Sequence, residues 1–154
     1  MENKHLDIEY KILQTSELSE EDAELMQKAL EVLNNSYSPY SHFKVGCAVR
    51  CKSNKIYTSC NQENIAYPSG LCAERSALFS LGGKKEEPTA LFIAAKDGNN
   101  EISTAYPCGA CRQVMAEFEK NISHQNLRVM ILRKDLSVIS FDKTEDLLPF
   151  GFDF

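Results

Sequence analysis

The chain lacks an excess of basic residues and lacks any long hydrophobic run. Its 154 residues include 17 Lys and Arg against 22 Asp and Glu, which gives a net charge of -5 at pH 7. This balance argues against a polyanionic partner such as nucleic acid. The longest apolar runs have about six residues, far fewer than the roughly 18 that indicate a membrane span. Because residues 1–10 are polar and contain no secretory hydrophobic segment, we expect a cytoplasmic protein without membrane or nucleic-acid partners.

The sequence also lacks repeats, low-complexity segments and linkers. Its 43% apolar and 25% charged residues are ordinary globular content. A length of 154 residues suits one domain with a single core, so we interpret residues 1–154 as one domain. Since no secretory signal precedes the six cysteines, disulfides are not expected. Three cysteines are predicted to bind a metal, and the other three are predicted to remain reduced.

The hydrophobic period changes several times along the chain, which is typical of an α/β fold. A helix is predicted from Ser19, a suitable N-cap, to about Asn34. Its expected buried stripe consists of Leu25, Met26, Ala29, Leu30 and Leu33. Five strands are predicted at residues 45–51, 55–60, 89–95, 127–132 and 137–141. Two further helices are expected to begin near Cys72 and Cys108, each of which follows a proline-containing segment.

Two short cysteine motifs indicate a metal site. Residues 68–74 read P-S-G-L-C-A-E, and residues 107–111 read P-C-G-A-C. Cys108 and Cys111 are three apart, so a helix places them on one face within reach of one ion, and Cys72 supplies a third thiolate. A structural zinc site uses four protein ligands, whereas three leave one position open for a water that the metal can acidify. The motifs therefore predict a catalytic site with one zinc per chain.

Glu74 lies two residues after the first predicted ligand. It is poorly placed to bind the same ion but well placed to handle the protons of water, so it is predicted as the catalytic acid and base. The alternative is an ordinary carboxylate in a first helical turn, where acidic residues are favoured. A second alternative is a closed structural site completed by Cys47 and Cys51. These two lie about 13 Å apart on one strand at 3.3 Å per residue, too far to bind one ion without a bulge.

Three further stretches accompany the cysteine motifs. They read S-Y-S-P-Y-S-H-F-K-V-G at 36–46, C-N-Q-E-N-I-A-Y-P at 60–68 and L-L-P-F-G-F at 147–152. With a cysteine first ligand, a glutamate that is not a ligand and a following P-C-x-x-C, the chain resembles the small cytidine deaminases that act on free nucleosides, over nearly its whole length. The resemblance implies a single-domain, three-layer α/β/α sandwich with a five-stranded mixed sheet.

The resemblance also implies a nucleoside pocket. It assigns Asn61 and Glu63 to a clamp on the ribose hydroxyls. This assignment is chemically sensible because a carboxylate accepts hydrogen bonds from a free hydroxyl and repels a phosphate. Phe43 resembles the residue that packs on the base, although an aromatic near a strand start is often part of a core. Backbone groups are expected to hold the base edge near Ala73 and near Ser69 or Gly70.

Two arginines follow the site residues directly. By resemblance, Arg75 is expected to donate a hydrogen bond to a ligand thiolate, and a cation there offsets the negative charge of three thiolates on one zinc. Arg112 is assigned to the same outer layer, with a surface salt bridge as its alternative.

The resemblance further implies a homotetramer whose active sites are shared between subunits. Tyr67 is expected to reach into a neighbouring subunit's site, and so is Phe152. The alternative for Phe152 is a tail residue that covers the sheet, and the stacking ring could instead be that of Phe150 or Phe154.

The predicted reaction is the hydrolytic deamination of cytidine and 2'-deoxycytidine to uridine and 2'-deoxyuridine, with release of ammonia, in pyrimidine salvage. Zinc is the cofactor, and no organic cofactor is expected. Two alternatives remain open at this point. One is a zinc deaminase of another substrate, such as a nucleoside antibiotic or a single-stranded nucleic acid, and the other is a non-catalytic binding module stabilised by zinc.

Overall fold

The computed structural model describes residues 1–153, in which α-helices and β-strands alternate along the chain. The strands are β1 Lys11–Gln14, β2 Lys44–Cys51, β3 Ile56–Cys60, β4 Pro88–Lys96, β5 Ile102–Ser103, β6 Arg128–Leu132 and β7 Ser137–Phe141. The α-helices are α1 Glu20–Val32, α2 Ala73–Phe79 and α3 Gly109–Glu117. Within this described part of the chain, every helix is too short or too polar to cross a membrane.

The strands form one mixed sheet. Its order is β1-β7-β6-β4-β2-β3, and the short β5 pairs with the end of β4. β4 and β6 run parallel, whereas the other neighbouring pairs are antiparallel. The five strands predicted from the sequence are neighbours in this sheet, running from β7 to the edge strand β3, each within one residue of its predicted bounds.

The predicted strand number of five is too low, because the sheet formed by residues 1–153 has seven strands. β5 has only two residues, too few to produce a recognisable hydrophobic period. β1 is an edge strand whose residues are exposed or half-buried, so it has no buried face that a sequence pattern could reveal. It forms because its backbone pairs with β7, where Ile12 lies opposite Ile139.

Helix α1 covers one face of the sheet. The Ser19 hydroxyl caps it by accepting a hydrogen bond from the Asp22 amide at 3.1 Å, as predicted. The predicted apolar stripe faces the strands, with Leu25, Ala29 and Leu33 buried and Met26 and Leu30 partly buried. The α-helix ends at Val32, and residues 33–35 continue it as a tighter 3₁₀ turn.

Helices α2 and α3 pack on the opposite face and against each other. Side chains along β2 alternate between the two faces, because Cys47 and Val49 join the α2 and α3 side whereas Ala48 joins the α1 side. The α/β class and the three-layer arrangement are therefore confirmed. Cys72 is the N-cap of α2 and Cys108 is the N-cap of α3, so both predicted helix starts are confirmed as well.

Candidate active site

Three cysteine sulfurs meet where α2 and α3 begin. The Sγ of Cys72 lies 3.9 Å from that of Cys108, and the Sγ of Cys108 lies 3.5 Å from that of Cys111. All three sulfurs lie within 4.8 Å of one another. A tetrahedral site with Zn–S bonds of about 2.3 Å separates its sulfurs by about 3.8 Å. The cluster therefore has the dimensions and the donor chemistry for one zinc ion per chain.

The cysteines of the cluster differ in pKa. The Cys111 thiol and the Arg75 guanidinium bring the pKa of Cys72 down to about 5, against the opposing effect of burial. The same hydrogen bond to Cys72 raises the pKa of Cys111, so the pair shares one negative charge. Zinc binding requires thiolates and releases their protons. A divalent ion at the cluster would therefore displace the remaining thiol protons and bind three thiolates.

The remaining cysteines lie outside this cluster. Cys47 and Cys51 are buried in the core between the sheet and α2 and α3, and Cys60 is buried at the end of β3. Within residues 1–153, the three sulfurs at positions 72, 108 and 111 are the single group that meets the geometric requirement for a metal site. The closed four-cysteine alternative therefore finds no support in the fold.

Glu74 lies in the first turn of α2, two residues after the Cys72 cap. Its side chain is only 5% exposed, which is unusual for a carboxylate. Burial raises its pKa to about 7, with the neighbouring Cys72 thiolate adding to the effect. A carboxyl group with this pKa takes up and releases a proton near neutral pH, as an acid and base must.

Arg75 lies directly beside the sulfur cluster. Its Nη2 donates to the Sγ of Cys72 at 3.7 Å. Its Nε is buried and has no hydrogen-bond partner among the residues that the structure describes. Such a group offsets negative charge on the cluster and orients the first ligand.

Arg112 has different partners, although it too follows a predicted ligand. Its Nε donates to the carbonyl of Pro107, and its Nη1 donates to the carbonyl of Leu147, both at 2.8 Å. The side chain thereby connects the start of α3 to the C-terminal segment. Neither the outer-layer contact with a thiolate nor the surface salt bridge expected from the sequence is among these bonds.

An open pocket of about 530 Å³ lies next to the cluster. This volume is within the roughly 300–1,000 Å³ typical of small-molecule sites. Its lining comes mainly from three segments, at residues 40–41, 61–67 and 70–75. Predicted site residues in the lining are Asn61, Glu63, Tyr67, Cys72 and Arg75. Ala73 and Glu74 lie in sequence between the lining residues Cys72 and Arg75 and are themselves buried.

The Glu63 carboxylate faces the loop before β2. One of its oxygens accepts hydrogen bonds from the amides of Tyr40 at 3.0 Å and Ser41 at 3.3 Å. The other oxygen accepts from the Ser41 hydroxyl. Desolvation would raise the pKa of Glu63, but these three donors leave it below its ordinary value. The group is therefore an anion that is held in place at the pocket wall.

The Asn61 amide is largely occupied by the protein itself. Its oxygen accepts from the Val45 amide at 2.8 Å and from the Ser36 hydroxyl at 2.6 Å, and its Nδ2 donates to the Phe43 carbonyl at 2.9 Å. A side-chain amide has two donors, so one N–H is left for a ligand. Asn61 connects the end of β3 to the start of β2, and any clamp on a sugar has this single donor to use.

The three predicted aromatic contacts lie in different places. Tyr67 is 74% exposed at the pocket, where its ring meets that of Tyr40 edge to face. Phe43 is half-buried and precedes β2, outside the lining of the pocket. Phe152 lies beside the middle of α3, where the Gln113 amide donates to its carbonyl at 2.9 Å and accepts from its amide at 3.0 Å. The predicted alternative Phe154 lies outside the described residues.

Ser36, Ser41 and Gln113 contact predicted site residues although sequence reasoning did not single them out. Ser36 and Ser41 lie within the stretch 36–46 that carried part of the resemblance, and Gln113 follows the second cysteine motif by two residues. Their partners are 22 to 39 residues away in sequence. No local pattern encodes such separations, so only proximity to the motifs could have drawn attention to them.

The chain matches the family model described as "Cytidine and deoxycytidylate deaminase zinc-binding region" over residues 19–124. It is 34% identical over 124 residues to a cytidine deaminase of Mycoplasma genitalium, covering 79% of this chain and 87% of that protein. It is also 32% identical over 130 residues to a probable cytidine deaminase of Dictyostelium discoideum, covering 82% of each.

Solved structures give the same relationship. A cytidine deaminase from Burkholderia pseudomallei superimposes with a TM-score of 0.72 at 33% identity, covering 84% of this chain and 98% of that one. One from Mycobacterium tuberculosis superimposes with a TM-score of 0.62 at 32% identity, covering 86% and 97%. The matched region contains all three clustered cysteines and Glu74. This chain therefore belongs to the family of zinc-binding cytidine and deoxycytidylate deaminases.

Proposed function

We propose that this protein hydrolyses cytidine and 2'-deoxycytidine to uridine and 2'-deoxyuridine with release of ammonia. The observation that carries the proposal is the buried Glu74 carboxyl beside a three-sulfur cluster, in a chain of the deaminase family. A binding module stabilised by zinc would have no use for a buried carboxyl at this position. Burying an ionisable group costs stability, which favours a chemical role for it.

Cys72, Cys108 and Cys111 would hold the zinc, which when bound supplies a Lewis acid that makes water nucleophilic near neutral pH. Glu74 takes the proton of the attacking water and delivers it to the ring nitrogen next to the amine-bearing carbon. The carboxylate then takes the proton of the newly added hydroxyl group and passes it to the amine, so that the carbon–nitrogen bond breaks, ammonia leaves and the hydroxyl becomes the carbonyl of the product. Arg75 keeps Cys72 oriented through its 3.7 Å contact and offsets the negative charge of the thiolates.

The pocket favours a free nucleoside. Glu63 contributes a fixed negative charge to the lining, where the 3'-hydroxyl of a sugar could donate to it. A phosphate at that hydroxyl would place two anions together and remove the donor. The net charge of -5 also disfavours a polynucleotide substrate.

An ultraviolet assay that follows the loss of cytidine absorbance tests the proposal directly. We expect turnover of cytidine and 2'-deoxycytidine, much slower turnover of cytidine 3'-phosphate, and none of adenosine or of a cytosine-rich oligonucleotide. Glu63→Gln should lose activity on cytidine, because a charged hydrogen bond is worth roughly 1.5–3 kcal/mol. Equal rates on cytidine and its 3'-phosphate would refute the role of Glu63. Absence of turnover on every nucleoside would refute the proposed reaction.

A second substrate has specific support. The chain is 27% identical over 111 residues to a blasticidin-S deaminase of Bacillus cereus, covering 69% of this chain and 79% of that protein. Blasticidin S should therefore be included in the substrate panel. A higher kcat/KM on blasticidin S than on cytidine would assign the protein to that activity instead.

We further propose that residues 1–154 form one domain that assembles as a homotetramer in the cytoplasm and serves pyrimidine salvage. The support for shared active sites is the exposure of Tyr67 at 74% and of Phe152 at 72%. Tyr67 lines the active-site pocket, and large exposed aromatic side chains are typical of surfaces that another subunit covers.

A further inference from the structure

Ser41 lies on the exposed loop before β2 and occupies a junction between two predicted substrate contacts. Its backbone amide donates to Glu63 at 3.3 Å, and its hydroxyl donates to the other carboxylate oxygen of the same residue. The hydroxyl oxygen also accepts the Phe43 amide at 3.0 Å. One side chain thus connects the carboxylate at the pocket wall with the aromatic residue at the start of β2.

The direction of these hydrogen bonds follows from the available donors. A serine hydroxyl has one proton, and the Phe43 N–H already occupies one of its acceptor sites. An ionised carboxylate only accepts, so the hydroxyl proton must point to Glu63. Bonds to ionised acceptors are stronger than neutral ones, and a donor that itself accepts a bond is polarised further. Ser41 therefore holds Glu63 more firmly than an isolated hydroxyl would.

Three donors leave the Glu63 carboxylate with one open position. Tyr40 and Ser41 amides bind one oxygen, and the Ser41 hydroxyl binds the other. A carboxylate offers about four acceptor sites in total. Because donors hold both oxygens, the plane of the carboxylate cannot rotate freely. A sugar hydroxyl could then occupy the remaining site without displacing a protein donor.

We propose that Ser41 is a positioning residue that makes the pocket selective for nucleosides with a free 3'-hydroxyl. This inference rests on the proposed function, because it assumes that Glu63 receives that hydroxyl. Without the Ser41 hydroxyl, one carboxylate oxygen loses its donor, and only the Tyr40 and Ser41 amides on the other oxygen still restrain the group. Substrate binding must then order the Glu63 carboxylate, and the free energy of ordering it weakens only the contact with the 3'-hydroxyl.

The structure contains a matched control elsewhere. Ser53 lies in the turn between β2 and β3, and its hydroxyl donates to the carboxylate of Glu86, which precedes β4. This turn lies at the opposite end of β3 from Glu63, roughly 17 Å away for five residues at 3.3 Å each. Ser53→Ala therefore removes a hydrogen bond of the same kind without reaching the pocket. Ser41→Thr keeps the hydroxyl and serves as the conservative variant.

The decisive measurement compares 2'-deoxycytidine with 2',3'-dideoxycytidine. The ratio of their kcat/KM values reports the advantage conferred by the 3'-hydroxyl. We expect Ser41→Ala to reduce this ratio by roughly tenfold, which corresponds to about 1.4 kcal/mol. Ser41→Thr should retain most of the ratio, and Ser53→Ala should retain all of it. Equal losses on both substrates in Ser41→Ala would indicate a structural defect and overturn the proposal.

A second measurement does not depend on turnover. Carbon NMR of the Glu63 carboxyl should show a higher pKa in Ser41→Ala than in the parent, because the charged form loses a donor. Ser53→Ala should leave that pKa unchanged. If the Ser41→Ala pKa also stays unchanged, the hydroxyl does not engage the carboxylate and the proposal fails. If the carboxyl shifts as expected but no nucleoside is deaminated, the fault lies with the proposed function.

Discussion

At the scale of single residues, Glu74 separates a catalytic centre from a structural zinc site. Glu74→Gln keeps the size and shape of the side chain but cannot transfer a proton, and it leaves the three thiolates intact. We expect zinc content and thermal stability near those of the parent. We expect kcat to fall by at least roughly 10²-fold, which is the lower end of the range for the loss of a positioned acid or base. Near-normal turnover by a zinc-loaded glutamine variant would show that Glu74 is not the proton carrier.

A second prediction at this scale concerns the metal ligands. Cys108→Ala should remove most of the zinc and destabilise the fold, because α2 and α3 lose the ion that connects their N-termini. Cys60→Ala is the matched control, since that buried cysteine lies outside the cluster and should not affect zinc binding. Metal analysis of protein purified without added zinc measures the zinc content of the two variants. A Cys108→Ala protein with a full complement of zinc would refute the ligand assignment.

At the scale of secondary-structure elements, the packing of α1 on β2 depends on Gly46. A Cβ atom at this position would lie 2.1 Å from the carbonyl oxygen of Ala29 and 2.9 Å from the amide nitrogen of Leu33. Backbone atoms of a helix cannot yield as a flexible side chain can. Gly46→Ala should therefore lower the free energy of unfolding by about 1–3 kcal/mol, the usual cost of overpacking.

Gly109→Ala is the control for this change. Apart from its chain neighbours and the backbone of α3, no atom of residues 1–153 lies within 4 Å of the added Cβ, and the residue is in the first turn of α3, where alanine is the better helix former. Urea denaturation of the two variants should show a clear loss of stability for Gly46→Ala and none for Gly109→Ala. Equal midpoints for Gly46→Ala and the parent would mean that α1 can move away from β2 at little cost.

At the scale of the whole molecule, the proposed shared sites tie activity to assembly. If Tyr67 and Phe152 complete a neighbouring subunit's pocket, an isolated subunit should be inactive. The molecular mass measured by light scattering and the specific activity should therefore fall together over the same dilution series. A monomeric mass with full activity at the same concentration would exclude shared sites.

The C-terminal aromatic residues allow a sharper test of the same idea. Phe152→Ala should raise KM roughly two- to tenfold, since stacking is worth about 0.5–1.5 kcal/mol. Gln113→Leu should act in the same direction, because the Gln113 amide holds the Phe152 backbone. Phe150→Ala is the comparison, since that ring is 98% exposed. A rise in KM confined to Phe150→Ala would show that Phe150 is the stacking residue. Lower stability with an unchanged KM in Phe152→Ala would indicate a tail residue that only covers the fold.

Much of the architecture was predictable because its signals are local. Ser19 and the prolines before Cys72 and Cys108 mark helix starts within a few residues, and the five predicted strands have short local patterns of apolar and β-branched residues. The P-C-x-x-C spacing places two ligands on one helical face whatever the rest of the chain does. These features depend on neighbours in sequence, so they could be predicted before the fold was known.

Other features depend on partners that are far away in sequence, and these could not be predicted. β1 exists because its backbone pairs with β7, more than a hundred residues later. The Ser41 hydroxyl donates to Glu63, and the Asn61 amide is hydrogen-bonded to Ser36 and to the start of β2. Arg112 donates to the Leu147 carbonyl rather than to a sulfur. Each contact joins segments that only the folded sheet brings together. Hydrogen bonds act over about 3 Å, so their partners are set by the packing of layers and not by the order of residues.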